Sequence, residues 1–174
     1  DSIWHQERIE SMSRKVRERI SALDHRLGSH GGLPTSDTTM QEVIGTVEAV
    51  ATTPASVLIE GENGTGKELI ARMIHARHLS GRTPFVAVNC AAIPETLMES
   101  AFFGHERGAF TGAVKAQPGY FEEVSSGILF LDEVGELPLN MQAKLLRAIE
   151  TREGRRIGGS HTYKYGFRVV AATN

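Results

Sequence analysis

The sequence has little cysteine, no large net charge and no long apolar run, and each shortage excludes a class of protein. Cys90 is the single cysteine among 174 residues, so an internal disulfide is excluded. A formal net charge of −2 provides no general basic field for holding nucleic acid. The apolar runs are too short to cross a bilayer, and no charged-then-apolar leader opens the chain. We expect a cytoplasmic protein without membrane contact, which binds DNA only through a domain outside this chain.

The composition is that of a folded domain, because 40% of the residues are hydrophobic and 23% are charged. Residues 1–27 place apolar side chains three or four apart, which predicts an amphipathic linker helix. A short coiled coil or signalling helix and a helix packed on its own domain both fit this pattern. Residues 28–39 are rich in Gly, Ser, Thr and Pro and are predicted to be a flexible linker. The folded core is expected over residues 40–174.

Strands and helices are predicted to alternate through this core. Thr39 and Glu42 resemble a capping box, and the helix that they open continues to about Ala51. Later helices are predicted at residues 67–79, 94–103 and 139–150. Strands are predicted at residues 56–60, 85–90, 128–131 and 167–172. Because the strands are nearly continuous apolar runs, we expect an α/β fold in which helices cover both faces of a parallel sheet.

The most informative stretch is GENGTGKE, which follows one predicted strand and opens a helix. It comprises Gly61, Glu62, Asn63, Gly64, Thr65, Gly66, Lys67 and Glu68. Its glycines allow successive backbone N–H groups to face nucleotide phosphates, and the helix start adds a favourable dipole. Lys67 adds a positive charge. This strand, loop and helix context predicts a phosphate-binding loop, although the spacing alone also occurs in ordinary glycine-rich turns.

Two carboxylates, Asp132 and Glu133, follow the apolar run Ile128–Leu131, where open α/β sheets bind ligands. We expect Asp132 to hold Mg²⁺ on the β- and γ-phosphates of the nucleotide, and Glu133 to orient and polarise the attacking water. Glu68 stands where a Ser or Thr usually gives a hydroxyl to the metal. The alternative is a pair of solvated carboxylates that opens a loop.

Asn174 stands at the end of the last predicted strand. Its side-chain amide is suited to hydrogen-bonding the γ-phosphate or the attacking water, and would then distinguish one nucleotide from another. The alternative is a capping asparagine with no part in catalysis.

A third motif, GAFTGA, surrounds one aromatic and one hydroxyl side chain with small residues. It comprises Gly108, Ala109, Phe110, Thr111, Gly112 and Ala113. Small residues allow a loop to be repositioned at little cost, and an exposed Phe beside a Thr suits contact with another protein. Taken in isolation, the string is typical of an ordinary turn.

Together, GENGTGKE, FFGHERGAFTGA and GILFLDEVGELPLNMQAKLLRAIE resemble the central domain of bacterial sigma-54-dependent transcriptional activators, which are AAA+ P-loop ATPases. The resemblance covers about residues 40–174. It implies ATP and Mg²⁺ as cofactors and sigma-54 RNA polymerase as the partner. It also implies self-association into a ring, expected to be a hexamer, or into a dimer when the protein is repressed.

The resemblance also assigns roles to individual residues. Phe110 and Thr111 are implied to touch the sigma factor, and residues 155–160, RRIGGS, to form a second loop beside the first in the ring pore. Asn89 is implied to hydrogen-bond Glu133 and to release it according to the nucleotide state. A glutamate at position 68 is usual in this family, so magnesium would rely on Asp132 and water.

The chain departs from the family pattern in three places. Ala101 and Phe102 replace the usual Glu and Leu before Phe103, and Asn63 replaces the commoner Ser or Thr. The chain also stops at Asn174, before the fifth strand, helical lid, arginine fingers and helix-turn-helix that the family implies. We therefore expect an incomplete chain that hydrolyses ATP weakly by itself, because arginines that stabilise transition-state charge are missing.

The sequence favours an ATP-hydrolysing activator that uses the GAFTGA loop to remodel sigma-54 RNA polymerase. The alternative is a nucleotide-binding interaction module without productive hydrolysis. Another AAA+ machine would require the GAFTGA match to be accidental. His75 and His78 lack a third metal ligand, and Cys90 is expected to be a small buried hydrophobe rather than a nucleophile.

Overall fold

A computed structural model of the chain describes residues 38–78 and 82–174. The chain divides into two units, residues 1–45 and 46–174. Of the first unit, only the opening turns of helix α1 (Thr38–Ala51) are described, so the linker helix predicted over residues 1–27 and residues 28–37 of the predicted flexible linker lie outside the described residues. Helix α1 includes Thr38 and Thr39, which the sequence had assigned to the linker. Thr39 is therefore not the residue at which this helix begins.

The second unit alternates strands and helices as the sequence predicts. The strands are β1 (Val57–Glu60), β2 (Phe85–Asn89), β3 (Ile128–Asp132), β4 (Glu153–Gly154), β5 (Tyr163–Lys164) and β6 (Arg168–Thr173). The helices after α1 are α2 (Lys67–Arg77), α3 (Glu95–Phe103), α4 (Tyr120–Val124) and α5 (Leu139–Thr151). The predicted long elements are confirmed to within two residues at each end, whereas α4 and the short pair β4–β5 were not predicted.

The main sheet has the order β1-β6-β3-β2, and all its neighbouring strands are parallel. In its register Asn89 lies opposite Asp132, and Glu60 lies opposite Thr173. Parallel strands place their carboxyl ends at one edge of a sheet. The segments that follow these strands therefore start from the same edge.

Helices cover both faces of this sheet, as predicted. Along β3 the side chains of Ile128 and Phe130 pack on one face, and those of Leu129 and Leu131 pack on the other. All four are fully buried, which explains why this strand reads as an unbroken apolar run. The first face is covered by Val47, Ala51, Ala71 and Ile74 of α1 and α2. The second face is covered by Met98, Phe102, Phe103, Phe121, Val124, Met141, Leu145 and Ala148 of α3, α4 and α5.

A buried arginine joins the sheet to the end of α1. Arg168, at the start of β6, donates to the carbonyl oxygens of Val50 at 2.8 Å, Ala51 at 3.1 Å and Ala55 at 2.7 Å. The last carbonyls of a helix lack partners within the helix, so this guanidinium satisfies groups that would otherwise be left unpaired. Burial lowers the pKa of Arg168 below its usual value. Among the described residues, no helix has the length and hydropathy needed to span a membrane.

Candidate functional site

The segment from Gly61 to Glu68 forms a tight turn between β1 and α2. Gly64 and Gly66 have φ angles of 80° and 88°, in the left-handed region that favours glycine. The Thr65 N–H donates to the carbonyl oxygen of Glu62 at 3.3 Å, and the Thr65 hydroxyl donates to the same oxygen at 2.7 Å. The turn has the strand, loop and helix arrangement that the sequence predicts for a phosphate-binding loop.

Lys67 is the first residue of α2, and its ammonium group turns back over this loop. Its side chain is 8% exposed. Its Nζ donates to the carbonyl oxygens of Gly61 at 2.6 Å and Glu62 at 3.1 Å, and to Oδ1 of Asn174 at 3.1 Å. The structure therefore brings together the loop lysine and the terminal asparagine, which the sequence selected separately.

Four strand ends place polar groups at the same edge of the sheet. Asn174 follows β6, Asp132 ends β3, Asn89 ends β2, and Gly61 follows β1. The Gly61 N–H donates to the carbonyl oxygen of Thr173 at 3.2 Å, which extends the pairing of β1 and β6 into the loop. This is the edge at which open α/β sheets bind ligands.

The two carboxylates predicted for catalysis lie on a turn with an unusual backbone. Glu133 has a φ of 52° and a ψ of 47°, a left-handed conformation that costs a non-glycine residue about 1–2 kcal/mol. Its N–H donates to Oδ1 of Asp132 at 3.1 Å, which fixes one oxygen of that carboxylate. Both side chains are half-buried, and within the described residues neither forms an ion pair.

Asn89 does not make the hydrogen bond to Glu133 that the family resemblance implied. Its Oδ1 instead accepts the N–H of Ala92 at 3.3 Å and caps the 3₁₀ turn Cys90–Ala92. In the strand register Asn89 stands opposite Asp132, the residue before Glu133. Asn89 lies at the edge of the sheet where the other predicted site residues lie, but its side-chain oxygen binds the backbone of the adjoining turn.

Glu68 is held along α2 by a residue that the sequence analysis did not select. Its Oε1 accepts from Nε of Arg72 at 3.0 Å and from Nη2 at 2.8 Å. The guanidinium of Arg72 also stacks 4.8 Å from the ring centroid of Phe85. This contact could have been predicted from the sequence, because residues four apart on a helix lie on the same face and Glu68 and Arg72 have opposite charges.

The segment that carries GAFTGA leaves the domain between α3 and α4 as a closed loop. His105 and Gln117 exchange two backbone hydrogen bonds of 2.9 Å at its stem. Gly104 and Gly119 pack against each other beneath this pair, and a Cβ on Gly119 would lie 2.3 Å from the Gly104 nitrogen. Only glycines fit here, so the stem of the loop is fixed by backbone packing.

We refer to residues 108–113 as the GAFTGA loop, and its tip is folded on itself. The Gly108 N–H donates to the carbonyl oxygen of Ala113 at 2.8 Å, and the Ala113 N–H donates to that of Phe110 at 3.0 Å. Phe110 is 41% exposed, and its ring lies 5.0 Å from the ring of His105. Thr111 is exposed. The tip therefore presents an aromatic and a hydroxyl group to solvent, as expected of a contact loop.

The second loop, residues 155–160, lies directly beside the first. Ile157 donates to the carbonyl oxygen of Gly104 and accepts from the N–H of Glu106, both at 3.0 Å. The Arg156 guanidinium makes two hydrogen bonds of 2.8 Å to the Glu122 carboxylate and one of 3.3 Å to Glu106. These bonds raise the pKa of Arg156 above its usual value. The implied proximity of the two loops is confirmed within the domain.

The minor candidates have ordinary structural roles. Cys90 is fully buried, and burial together with the nearby charges of Asp132 and Glu133 raises the pKa of its thiol to about 11. His75 pairs with the carbonyl oxygen of Thr83 at 2.7 Å, and His78 pairs with that of Ala51 at 3.4 Å. No group of three or more metal-binding side chains occurs among residues 38–78 and 82–174.

Comparison with known proteins agrees with this geometry. The family model described as the sigma-54 interaction domain matches residues 33–174. The regulatory protein AtoC of Escherichia coli (strain K12) is 48% identical over 166 residues, which are 95% of this chain and 36% of that protein. The sigma54-dependent transcriptional activator SfnR of Pseudomonas putida is 54% identical over 140 residues, covering 79% of this chain and 38% of that protein. The chain thus spans little more than a third of the length of these relatives.

Solved structures show the same fold. NtrX from Brucella abortus superposes with a TM-score of 0.76 at 36% sequence identity, over 98% of this chain and 36% of that one. The same protein in complex with ADP gives a TM-score of 0.76 at 34% identity, over 98% of this chain and 35% of that one. From the matched family model and these relatives, we conclude that the chain belongs to the family of sigma-54 interaction domains, the AAA+ domains of sigma-54-dependent transcriptional activators.

Proposed function

We propose that this chain is the ATP-hydrolysing part of a transcriptional activator that remodels sigma-54 RNA polymerase. The observation that carries the proposal is the hydrogen bond between Lys67 and Asn174 at the sheet edge where Asp132 and Glu133 also lie. Phosphoryl transfer depends mainly on positioning and charge stabilisation, which such a convergence supplies. NtrX has been solved in complex with ADP and with ATP, which supports nucleotide binding by this chain.

The phosphate loop and Lys67 would bind the phosphates of ATP. The ammonium group of Lys67 now contacts two loop carbonyls and Asn174, so a γ-phosphate would lie beside both residues. Asn174 would then hydrogen-bond that phosphate or the attacking water. Asn89 lies at the end of a neighbouring strand, and its Nδ2 has no hydrogen-bond partner among the described residues.

The residues at this edge fit a magnesium ion. One oxygen of Asp132 accepts the Glu133 N–H, and the other has no hydrogen-bond partner in the described chain. Mg²⁺ in nucleotide sites is held by one or two carboxylates together with phosphates and water. The Thr65 hydroxyl is bonded to its own loop, so Asp132 is the better ligand. When bound, Mg²⁺ supplies charge neutralisation to the β- and γ-phosphates.

Glu133 would act as the general base. Its carboxylate is half-buried and forms no ion pair with any described cation, so it remains available to a water molecule. A positioned general base contributes about 10²–10⁴-fold to the rate of such a reaction. The strained backbone of Glu133 is consistent with this role, because strain of this kind clusters at functional sites.

The GAFTGA loop would contact the sigma factor through Phe110 and Thr111, and ATP hydrolysis would move this loop to remodel the polymerase. Both residues are exposed on a loop whose stem is continuous with the packed core. Self-association into a ring, a hexamer in the active state and a dimer when repressed, would bring several such loops together around one pore. DNA would be bound by a domain outside this chain.

The test is phosphate release by the full-length protein at concentrations that permit self-association. Glu133→Gln is expected to bind ATP normally and to lose about 10²–10⁴-fold in turnover, whereas Lys67→Ala is expected to lose nucleotide affinity. Glu136→Gln is the matched control, because that carboxylate is exposed on the adjoining turn. A wild-type protein that binds ATP but releases no phosphate would support the competing function, a non-hydrolysing interaction module.

A further inference from the structure

A surface groove runs between the GAFTGA loop and the helices beside it. Its volume is about 570 Å³. The residues that matter for its chemistry are Leu97, Ala101, Phe110, Val114, Lys115 and Glu123. None of the residues placed at the catalytic edge of the sheet lines the groove, so the proposed ATPase chemistry leaves it unexplained.

Apolar side chains line one part of the groove. Leu97 is 51% exposed, Phe110 41% and Val114 74%, which is unusual for large apolar side chains so close together. The ring of Phe110 rests on His105, whose Nδ1 lies 2.7 Å from the Ser100 hydroxyl. Because that imidazole is buried and held by a hydrogen bond, the wall formed by Phe110 is supported from below. Preformed apolar clefts with a few polar groups are typical binding sites.

Two side chains of opposite charge also line the groove. Lys115 and Glu123 form no ion pair with each other or with any other residue in the described part of the chain. Neighbouring charges behave differently, since Lys144 pairs with Glu99 and Arg156 pairs with Glu122. Charges left unpaired beside an apolar surface favour a partner that presents the opposite signs, and they set its orientation.

We propose that this groove binds a segment of the sigma-54 factor that presents an aliphatic side chain flanked by charges of both signs. The aliphatic group packs between Leu97 and Phe110, a carboxylate meets Lys115, and a cation meets Glu123. The proposal rests on the proposed function and extends the contact from the loop tip to α3. The groove shares Phe110 with that tip, so one segment of the partner touches both.

The apolar half is tested by binding purified sigma-54 factor to the full-length protein in saturating ATP. Leu97→Ser is expected to weaken binding about tenfold, because a buried leucine contact is lost. Leu139→Ser is the matched control, since Leu139 is 82% exposed on α5 and does not line the groove. It is expected to bind within about twofold of wild type. ATPase activity is expected to stay unchanged in both variants.

The charged part of the groove is tested by reversing the charge of each of its two ionic side chains. Lys115→Glu and Glu123→Lys are each expected to weaken sigma-54 binding several-fold, with the difference shrinking at high salt. Lys164→Glu, an exposed lysine on β5, is the control. The double reversal is expected to bind more weakly than either single variant. Recovery of wild-type binding by the double reversal would show that the two side chains pair with each other, and would overturn the proposal.

The outcomes separate this proposal from the proposed function. If the wild type neither hydrolyses ATP nor binds sigma-54, the proposed function fails and this inference fails with it. If the wild type does both and Leu97→Ser binds as tightly as wild type, only the groove proposal is overturned. Loss of self-association by Leu97→Ser in sedimentation would also overturn it, because the groove would then be covered by a second copy of the chain.

Discussion

Lys67 and Asn174 lie 107 residues apart in the sequence and are joined by a hydrogen bond of 3.1 Å between Nζ and Oδ1. Asn174 follows β6, which pairs with both β1 and β3. The strand after which the phosphate loop begins and the strand that ends in Asp132 are therefore both fixed to the strand that carries this amide.

The first prediction follows from this contact. Asn174→Asp is expected to weaken ATP binding about tenfold or more, because a carboxylate facing Lys67 competes with the γ-phosphate for the charge of that lysine. Asn174→Ala removes one of the three oxygen acceptors of the Lys67 ammonium group. Its nucleotide affinity is expected to stay within about threefold of wild type. Titration calorimetry with a non-hydrolysable ATP analogue measures both affinities, with the exposed Asn140→Asp as control. Equal affinities for Asn174→Asp and wild type would show that the amide does not adjoin the phosphates.

The sequence was sufficient to predict the elements and the phosphate loop because those signals are local. Apolar runs predicted the strands, and the glycines at positions 64 and 66 do occupy left-handed conformations. The same reasoning missed α4 and the pair β4–β5, because elements of five and two residues are too short to show a periodicity. It also implied a nucleotide-dependent bond from Asn89 to Glu133, whereas here the Asn89 oxygen accepts from the Ala92 N–H.

Contacts across the sheet could not be predicted from one sequence. Arg168 opens an apolar strand, and no local pattern indicates that it caps carbonyls at the end of α1, more than a hundred residues earlier. The contact between Lys67 and Asn174 likewise depends on the strand order β1-β6-β3. In both cases the decisive information is the three-dimensional position of a polar group rather than its neighbours in the chain.

The second prediction concerns the tip of the GAFTGA loop. Thr111→Ala is expected to abolish sigma-54-dependent transcription in the full-length protein and to leave most of the ATPase activity, because Thr111 is exposed on the GAFTGA loop and is not one of the residues at the strand ends that form the catalytic edge. Thr111→Ser keeps the hydroxyl and is expected to retain part of the activation. Transcription and phosphate release are measured on the same preparations. Survival of both activities in Thr111→Ala would contradict coupling through this loop.

The third prediction concerns the stability of the fold. Arg168→Met is expected to lower the free energy of unfolding by about 3 kcal/mol or more, because three backbone carbonyls lose their buried donor. For a domain of this size that corresponds to a fall in Tm of about 6–12 °C. Arg72→Met is the control, since its ion pair with Glu68 is half-exposed and is worth about 0.5 kcal/mol or less. Similar Tm values for the two variants would show that Arg168 does not support α1.

The fourth prediction uses Cys90 as a probe of the catalytic edge. With a thiol pKa of about 11, the thiolate fraction at pH 8 is about one in a thousand, against about one in ten for an ordinary thiol of pKa 9. Alkylation of the native protein by iodoacetamide is therefore expected to be slow, and fast once urea unfolds it. Cys90→Ala gives the background rate.

The sign of the pH dependence follows from the same shift. Because folding raises the pKa, it favours the protonated thiol, and the stability gained is complete below about pH 9 and lost as the pH rises through about 11. Cys90→Ala lacks this group, so the difference in unfolding free energy between wild type and Cys90→Ala is expected to change over that interval. Rapid labelling of the folded protein at pH 8 would show that the turn carrying Asp132 and Glu133 opens readily, since those carboxylates lie close enough to affect the thiol.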